Sequence, residues 1–210
     1  FAAQWLNLRR VSDVVVDPVR YPTYDESLLQ AFRRETELFV TSTLREDRSV
    51  TELLNADYTF VNERLARHYG IPKIYGTRFR RVTLANSDQR GGLLGHGAVL
   101  ATTSYPDRTS PVLRGKWLLD NLFGLPPPQP PPDVDTNLVA TPETLKLSIR
   151  ERLAQHRQNP SCASCHSVID PLGFALENFD VIGGWRDVDE SGKPVDARGT
   201  TASGARVEGL

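Results

Sequence analysis

The run "LPPPQPPPDVD" places six prolines between Leu125 and Asp133. Proline has no amide donor and a fixed φ, so this stretch can enter neither a helix interior nor the middle of a sheet. It reads as extended polyproline II without internal hydrogen bonds, and it divides the chain. A spacer is its plain role; docking to a proline-binding partner is the sharper one.

Two helical lobes joined by this segment are expected. With 39% apolar residues in 210, the chain can build one sizeable domain or two small ones. Lys plus Arg (25) nearly cancel Asp plus Glu (26), so neither nucleic acid nor an anionic membrane surface is favoured as a partner. No apolar run approaches the roughly 18 residues that would suggest a membrane span, and nothing at the start reads as a signal peptide. The chain opens on Phe1 and contains no Met, which suggests a fragment or processed piece of something longer. An export signal would have been removed or would lie upstream.

Before the prolines, "DESLLQAFRRETELFVTSTL" sets Leu28, Phe32, Glu35 and Phe39 near one helical face, with Asp25 as N-cap. "SVTELLNADYTFVNERLARHYGIP" predicts the second member of a helical pair, with Ser49 and Glu52 at capping-box spacing and Val61, Leu65 and Tyr69 recurring every four residues up to Gly70. "GTRFRRVTL" permits a brief strand. "DQRGGLLGHGAVLATTS" carries Leu93, His96, Val99 and Leu100 on neighbouring helical positions, although its glycines weaken a helix and would admit a bulky group near the backbone. In "TSPVLRGKWLLDNLFG", Ser110 as cap, Pro111 at the first position and Gly124 past the end predict a helix over 111–123.

After the prolines, Thr141 and Pro142 predict a helix start, with Leu145, Ile149, Leu153 and His156 along its apolar stripe. Asp170 and Pro171 predict another start, and "WRDVDESGKPVDARG" a hairpin turning at Gly192.

Between these lies "NPSCASCHSVIDPLGF", which holds both cysteines of the chain, Cys162 and Cys165, with His166 directly behind. Such a run can hold a haem covalently: the sulfurs add across the porphyrin vinyls and the adjacent imidazole reaches the iron. A redox dithiol, half of a zinc site and two inert thiols compete with this reading. Zinc would need a fourth ligand from His68, His96 or His156, and a thioredoxin-like dithiol would want a βαβ setting where the surroundings read as helical. Leu153, Val168, Ile169, Leu172, Phe174 and Leu176 could pack a macrocycle, or could form a small core of their own with Trp185. With no Met to serve as second axial ligand, either a histidine completes the shell, or the position is open, or another chain fills it; His96 is the first candidate, against a satisfied core histidine, His156 is placed to meet a haem edge or propionate more readily than the iron, and His68 is structural or exposed. Arg114, Lys116 and Arg157 could pair with propionates or be solvated helix charges.

The stretches "RGGLLGHGAVLATTSYPDRTSPVLRGKWLLDNLFGLPPPQPPP" and "LAQHRQNPSCASCHSVIDPLGFALENFDVIGGWR" resemble the cytochrome c-like domain of unknown function in large secreted multidomain proteins of Planctomycetes and related bacteria. "ETELFVTSTLREDRSVTELLNADYTFVNERLARHYGIP" resembles the helical domain preceding it there. The resemblance implies three parts: a helical domain over 1–78, itself the end of a larger one; a cytochrome c-like domain over 79–187, with its Pro-rich segment 125–133 and haem motif 162–166; and the start of a further domain or tail over 188–210. It implies export to the periplasm or beyond, one covalent haem c on Cys162 and Cys165, and His166 as proximal ligand.

The expectation is therefore a mostly α chain, a cytochrome c-like haem module packed with a helical lobe, with a minor β hairpin near the C-terminus. Its expected work is electron transfer to a redox partner protein or to neighbouring domains of the parent. A peroxidase-like haem enzyme with an open distal site, and a structural subunit stapled by haem, are the alternatives.

Overall fold

Asp25 is extended and its side chain accepts a hydrogen bond from the Leu28 amide, satisfying an otherwise orphaned donor at the start of the longest helix. A one-turn helix Ala2–Trp5 (α1) and a 3-10 turn Leu8–Asp13 precede that helix, which runs Glu26–Arg45 (α2). Leu28, Phe32, Glu35 and Phe39 are all fully buried along α2, the face expected from their spacing. Each such aromatic or Leu side chain contributes about 1.5–3 kcal/mol relative to exposure. This computed structural model describes residues 1–85, 89–129 and 141–209, in two units: Phe1–Thr109 with Phe179–Trp185, and Ser110–Asn178 with Arg186–Gly209.

The second half of the expected helical pair is broken by a strand. Helix α3 covers only Glu52–Asn55, strand β1 takes Tyr58–Val61, and helix α4 begins at Glu63 and ends at Tyr69. The cause is local: Tyr-Thr-Phe-Val is a β-branched and aromatic run, and Asn62 accepts from the Leu65 amide to restart the helix. Thr51, not Ser49, flanks α3, and the Ser49 hydroxyl bonds Thr51 Oγ1 at 2.7 Å instead. Strand β2, Arg80–Thr83, pairs antiparallel with β1 from Tyr58↔Thr83 to Val61↔Arg80. Helix α5, Gly97–Thr102, begins only after His96, which occupies its N-cap position without a capping bond. The returning segment 179–185 adds Val181 and Ile182 to this unit, packed with Val16 and flanked by Tyr21 and Tyr24.

In the second unit, helix α6 covers Pro111–Trp117 and widens into a π-helical run, Leu118–Phe123, before Gly124 closes it at φ +63°. The expected span is kept, with the Ser110 hydroxyl accepting from Leu113 at 3.2 Å. Residues 125–129 are neither helix nor strand; the rest of the Pro-rich segment, 130–133, lies outside the described residues. Helix α7 is Ile149–His156 and does not start at Thr141. Ser148 and Glu151 form a reciprocal capping box there, satisfying two donors where Thr141 would satisfy one, and Thr144–Lys146 make only a 3-10 turn.

Helix α8, Pro160–Phe174, carries the thiols and runs straight through Asp170 and Pro171, so the helix start expected at that pair does not form. Tertiary packing overrides the local signal. A methyl group added at Gly115 of α6 would collide with the Ile169 carbonyl, and one at Gly173 of α8 with the Pro111 carbonyl, so the two helix backbones meet directly. Near the C-terminus, Gly192 turns the chain at φ +82° with Val188 bridged to Pro194. A further antiparallel pair follows, β3 (Arg198–Thr200) with β4 (Arg206–Glu208). The molecule is mostly helical with minor antiparallel pairing, as expected, but the Pro-rich segment does not divide it: α6 before it and α8 after it belong to the same unit, and the main stretch of the first unit ends earlier, at Thr109.

Candidate functional site

Asn159 and Pro160 start α8: the Asn159 side chain accepts from the Ser161 amide at 3.0 Å, and Pro160 at the first position has no donor to waste. Cys162 and Cys165 therefore fall in the first two turns, three residues apart and on neighbouring positions of one face. Both are free thiols, Cys162 buried and Cys165 half-buried.

His166 follows on the same helix, half-buried, and four residues later comes Asp170, fully buried. His166 Nδ1 lies 2.8 Å from Asp170 Oδ1, and Asp170 Oδ2 lies 3.3 Å from an Arg157 guanidinium nitrogen. A carboxylate only accepts, so Nδ1 carries the proton and donates it, and Nε2 is the ring nitrogen on which a metal-binding lone pair would lie. This is how an imidazole that binds metal through Nε2 is generally held. The His156 ring stands edge-on to that of His166 with centroids 5.0 Å apart.

These residues fit a c-type haem better than a zinc ion. Among the described residues no group of three or more His, Cys, Asp and Glu could hold a metal ion. Zinc requires its ligands to converge on one point, whereas the sulfurs and imidazole that hold a haem meet different atoms of the macrocycle.

The apolar surroundings divide. Leu153, Ile169, Phe174 and Leu176 are buried, Leu172 is half-buried, and Val168 is 43% exposed on α8 beside His166. Trp185 falls in the first unit, edge-on to Phe179 at 5.4 Å. The three basic candidates all have carboxylate partners within the second unit. Arg114 is buried and donates to Glu177 Oε1 at 2.9 Å and to the Leu176 carbonyl at 2.6 Å; Lys116 pairs with Asp120 at 2.5 Å; Arg157 pairs with Asp170.

His96 belongs to the first unit and is buried there. Its Nδ1 lies 3.1 Å from Thr36 Oγ1, its ring stands edge-on to Phe39 at 4.8 Å, and its Nε2, 4.0 Å from Glu35 Oε1, has no hydrogen-bond partner among the described residues. Burial, with Arg90 nearby, lowers its pKa to about 3. Burial also raises Glu35 to about 7, against the hydroxyls of Thr59 and Tyr69 that donate to its carboxylate at 2.6 Å each. His68 meets the Ile182 carbonyl through Nε2 at 2.7 Å, and burial lowers its pKa to about 4.

Sequence reasoning missed this Glu35 cluster and the role of Asp170. The first had no linear signal, because Glu35, Thr59, Tyr69 and His96 are far apart in the chain. The second had one: positions 166 and 170 are helical neighbours, visible once the helix is allowed to continue through Pro171.

Residues 90–189 match the family model PSCyt3, described as a protein of unknown function (DUF1588). Residues 1–71 match PSD4, likewise described as a protein of unknown function (DUF1592). The first name points to a cytochrome c-type module without stating an activity. No curated protein and no solved structure matches the chain.

Proposed function

We propose that this chain is a c-type haem module, with thioether bonds at Cys162 Sγ and Cys165 Sγ and His166 Nε2 as the proximal iron ligand, and that it transfers electrons outside the cytoplasm. The partner is a neighbouring domain of a longer parent or a separate redox protein. One observation carries the reading: Cys162, Cys165 and His166 share one helix, with Nδ1 already held by Asp170 so that Nε2 is the nitrogen left to bind. A bound haem would supply a reversible one-electron change at its iron. The chain's own part is to fix the imidazole in one tautomer through Asp170 and to hold α8 rigid against α6. The match of residues 90–189 to a family with a cytochrome-type name agrees with this.

Expression of the chain in a host able to attach c-type haem should give a pigment that survives denaturation and acid extraction, and a polypeptide heavier by one haem. Colourless extract at bare mass would overturn the proposal, and replacing both cysteines by serine should abolish the mass gain. The peroxidase-like alternative is favoured by the same Asp170 contact, since a strongly donating imidazole suits an iron with one open position. A five-coordinate spectrum in the unsubstituted protein would select it.

A further inference from the structure

We infer that Asp170 is a positioning residue that sets the redox potential of the site through His166, with Arg157 as an opposing control. The inference rests on the haem reading above. Three observations support it. Asp170 has no exposed side-chain surface, so its interactions are made with little water between. Its two oxygens are divided, Oδ1 to His166 Nδ1 at 2.8 Å and Oδ2 to Arg157 at 3.3 Å. And it lies directly before Pro171 inside a continuous helix, a place the residue before a proline ordinarily avoids. The α-helical conformation is kept there, and it is what brings the carboxylate under the imidazole one turn earlier.

A carboxylate accepting from Nδ1–H pushes electron density through the ring toward Nε2 and makes it a stronger donor. A stronger donor stabilises the ferric over the ferrous state, and the potential falls. Arg157, 30% exposed at its side chain, draws on the other carboxylate oxygen and moderates the effect. The pair thus acts in opposite senses on one imidazole.

The test is potentiometric titration of the haem-loaded full chain and three variants. Asp170→Asn keeps the shape and weakens the acceptor, and should raise the potential by about a tenfold change in ferric-to-ferrous preference, about 59 mV for one electron. Arg157→Gln should lower it. Asp170→Glu keeps the charge but carries it on a longer arm, and should give a potential distinct from the unsubstituted protein.

If Asp170→Glu matches the unsubstituted protein while Asp170→Asn shifts, charge alone acts and the positioning role is overturned. If Asp170→Asn does not fold, an Arg157→Gln potential that is unchanged or raised still overturns it. Absence of covalent pigment in the unsubstituted chain sinks the haem reading instead, so the two failures are told apart.

Discussion

At the scale of single residues, His96, His68 and Glu35 of the first unit are titratable groups whose burial opposes their charge. Folding makes His96 and His68 harder to protonate, with folded values of about 3 and 4 against an ordinary 6.5. The stability they contribute is present in full above pH 6.5 and drains as the pH falls toward those values. Glu35 runs the other way: its folded value of about 7 exceeds the ordinary 4.5, so its contribution is full at low pH and is lost as the pH rises to 7. Between about pH 4.5 and 6.5 two imidazoles outweigh one carboxyl, and stability should climb with pH. Glu35→Gln removes the opposing proton, and the climb should steepen, read as the urea midpoint at several pH values; an unaltered slope would contradict the assignment. None of this was legible in the sequence. Glu35 could be seen on an apolar helical face, but Thr59 and Tyr69, the hydroxyls that hold it, arrive from β1 and the end of α4. The thiols and His166, by contrast, were legible because all three lie within five consecutive residues and need no tertiary contact to meet.

At the scale of elements, α6 and α8 approach each other backbone to backbone at two glycines. The carbonyls of Ile169 and Pro111 occupy the space a Cβ would fill at Gly115 and Gly173. Gly115→Ala should therefore destabilise the second unit by roughly 1–3 kcal/mol, or disturb α8 at the residues beside His166. Denaturant titration followed by the fluorescence of Trp117 in α6 would check it, and an unshifted midpoint would refute it. The limits of α6 were legible because Ser110, Pro111 and Gly124 satisfy local rules of helix ends that packing does not disturb. Strand β1 was not: Val61, Leu65 and Tyr69 repeat every four residues, and the strand is fixed by pairing with Arg80–Thr83, about twenty residues on. Asp170–Pro171 misled for a related reason. Two residues that ordinarily open a helix sit inside one, and α8 meets α6 on both sides of them, at Ile169 and at Gly173.

At the scale of the whole molecule, the chain leaves the first unit at Thr109, builds most of the second, and returns for residues 179–185 before leaving again. That return is well bonded. His68 meets the Ile182 carbonyl, Arg90 donates to the Gly183 carbonyl, and Val181 and Ile182 join Val16 in the core. A chain ended at Asn178 should lose stability in its first unit, although every residue of 1–109 remains. Removing the buried Val181 and Ile182 alone forfeits about 1.5–3 kcal/mol each, measurable as a lower midpoint when Tyr69 or another first-unit probe is followed. An unchanged midpoint would show the segment to be dispensable.

The same return has a temporal side. A ribosome delivers the first unit's final piece only after some seventy intervening residues, Cys162 and Cys165 among them, have emerged. The first unit must therefore wait, incompletely closed, while the cysteine-bearing stretch is synthesised, and its completion becomes a late event in the life of the nascent polypeptide.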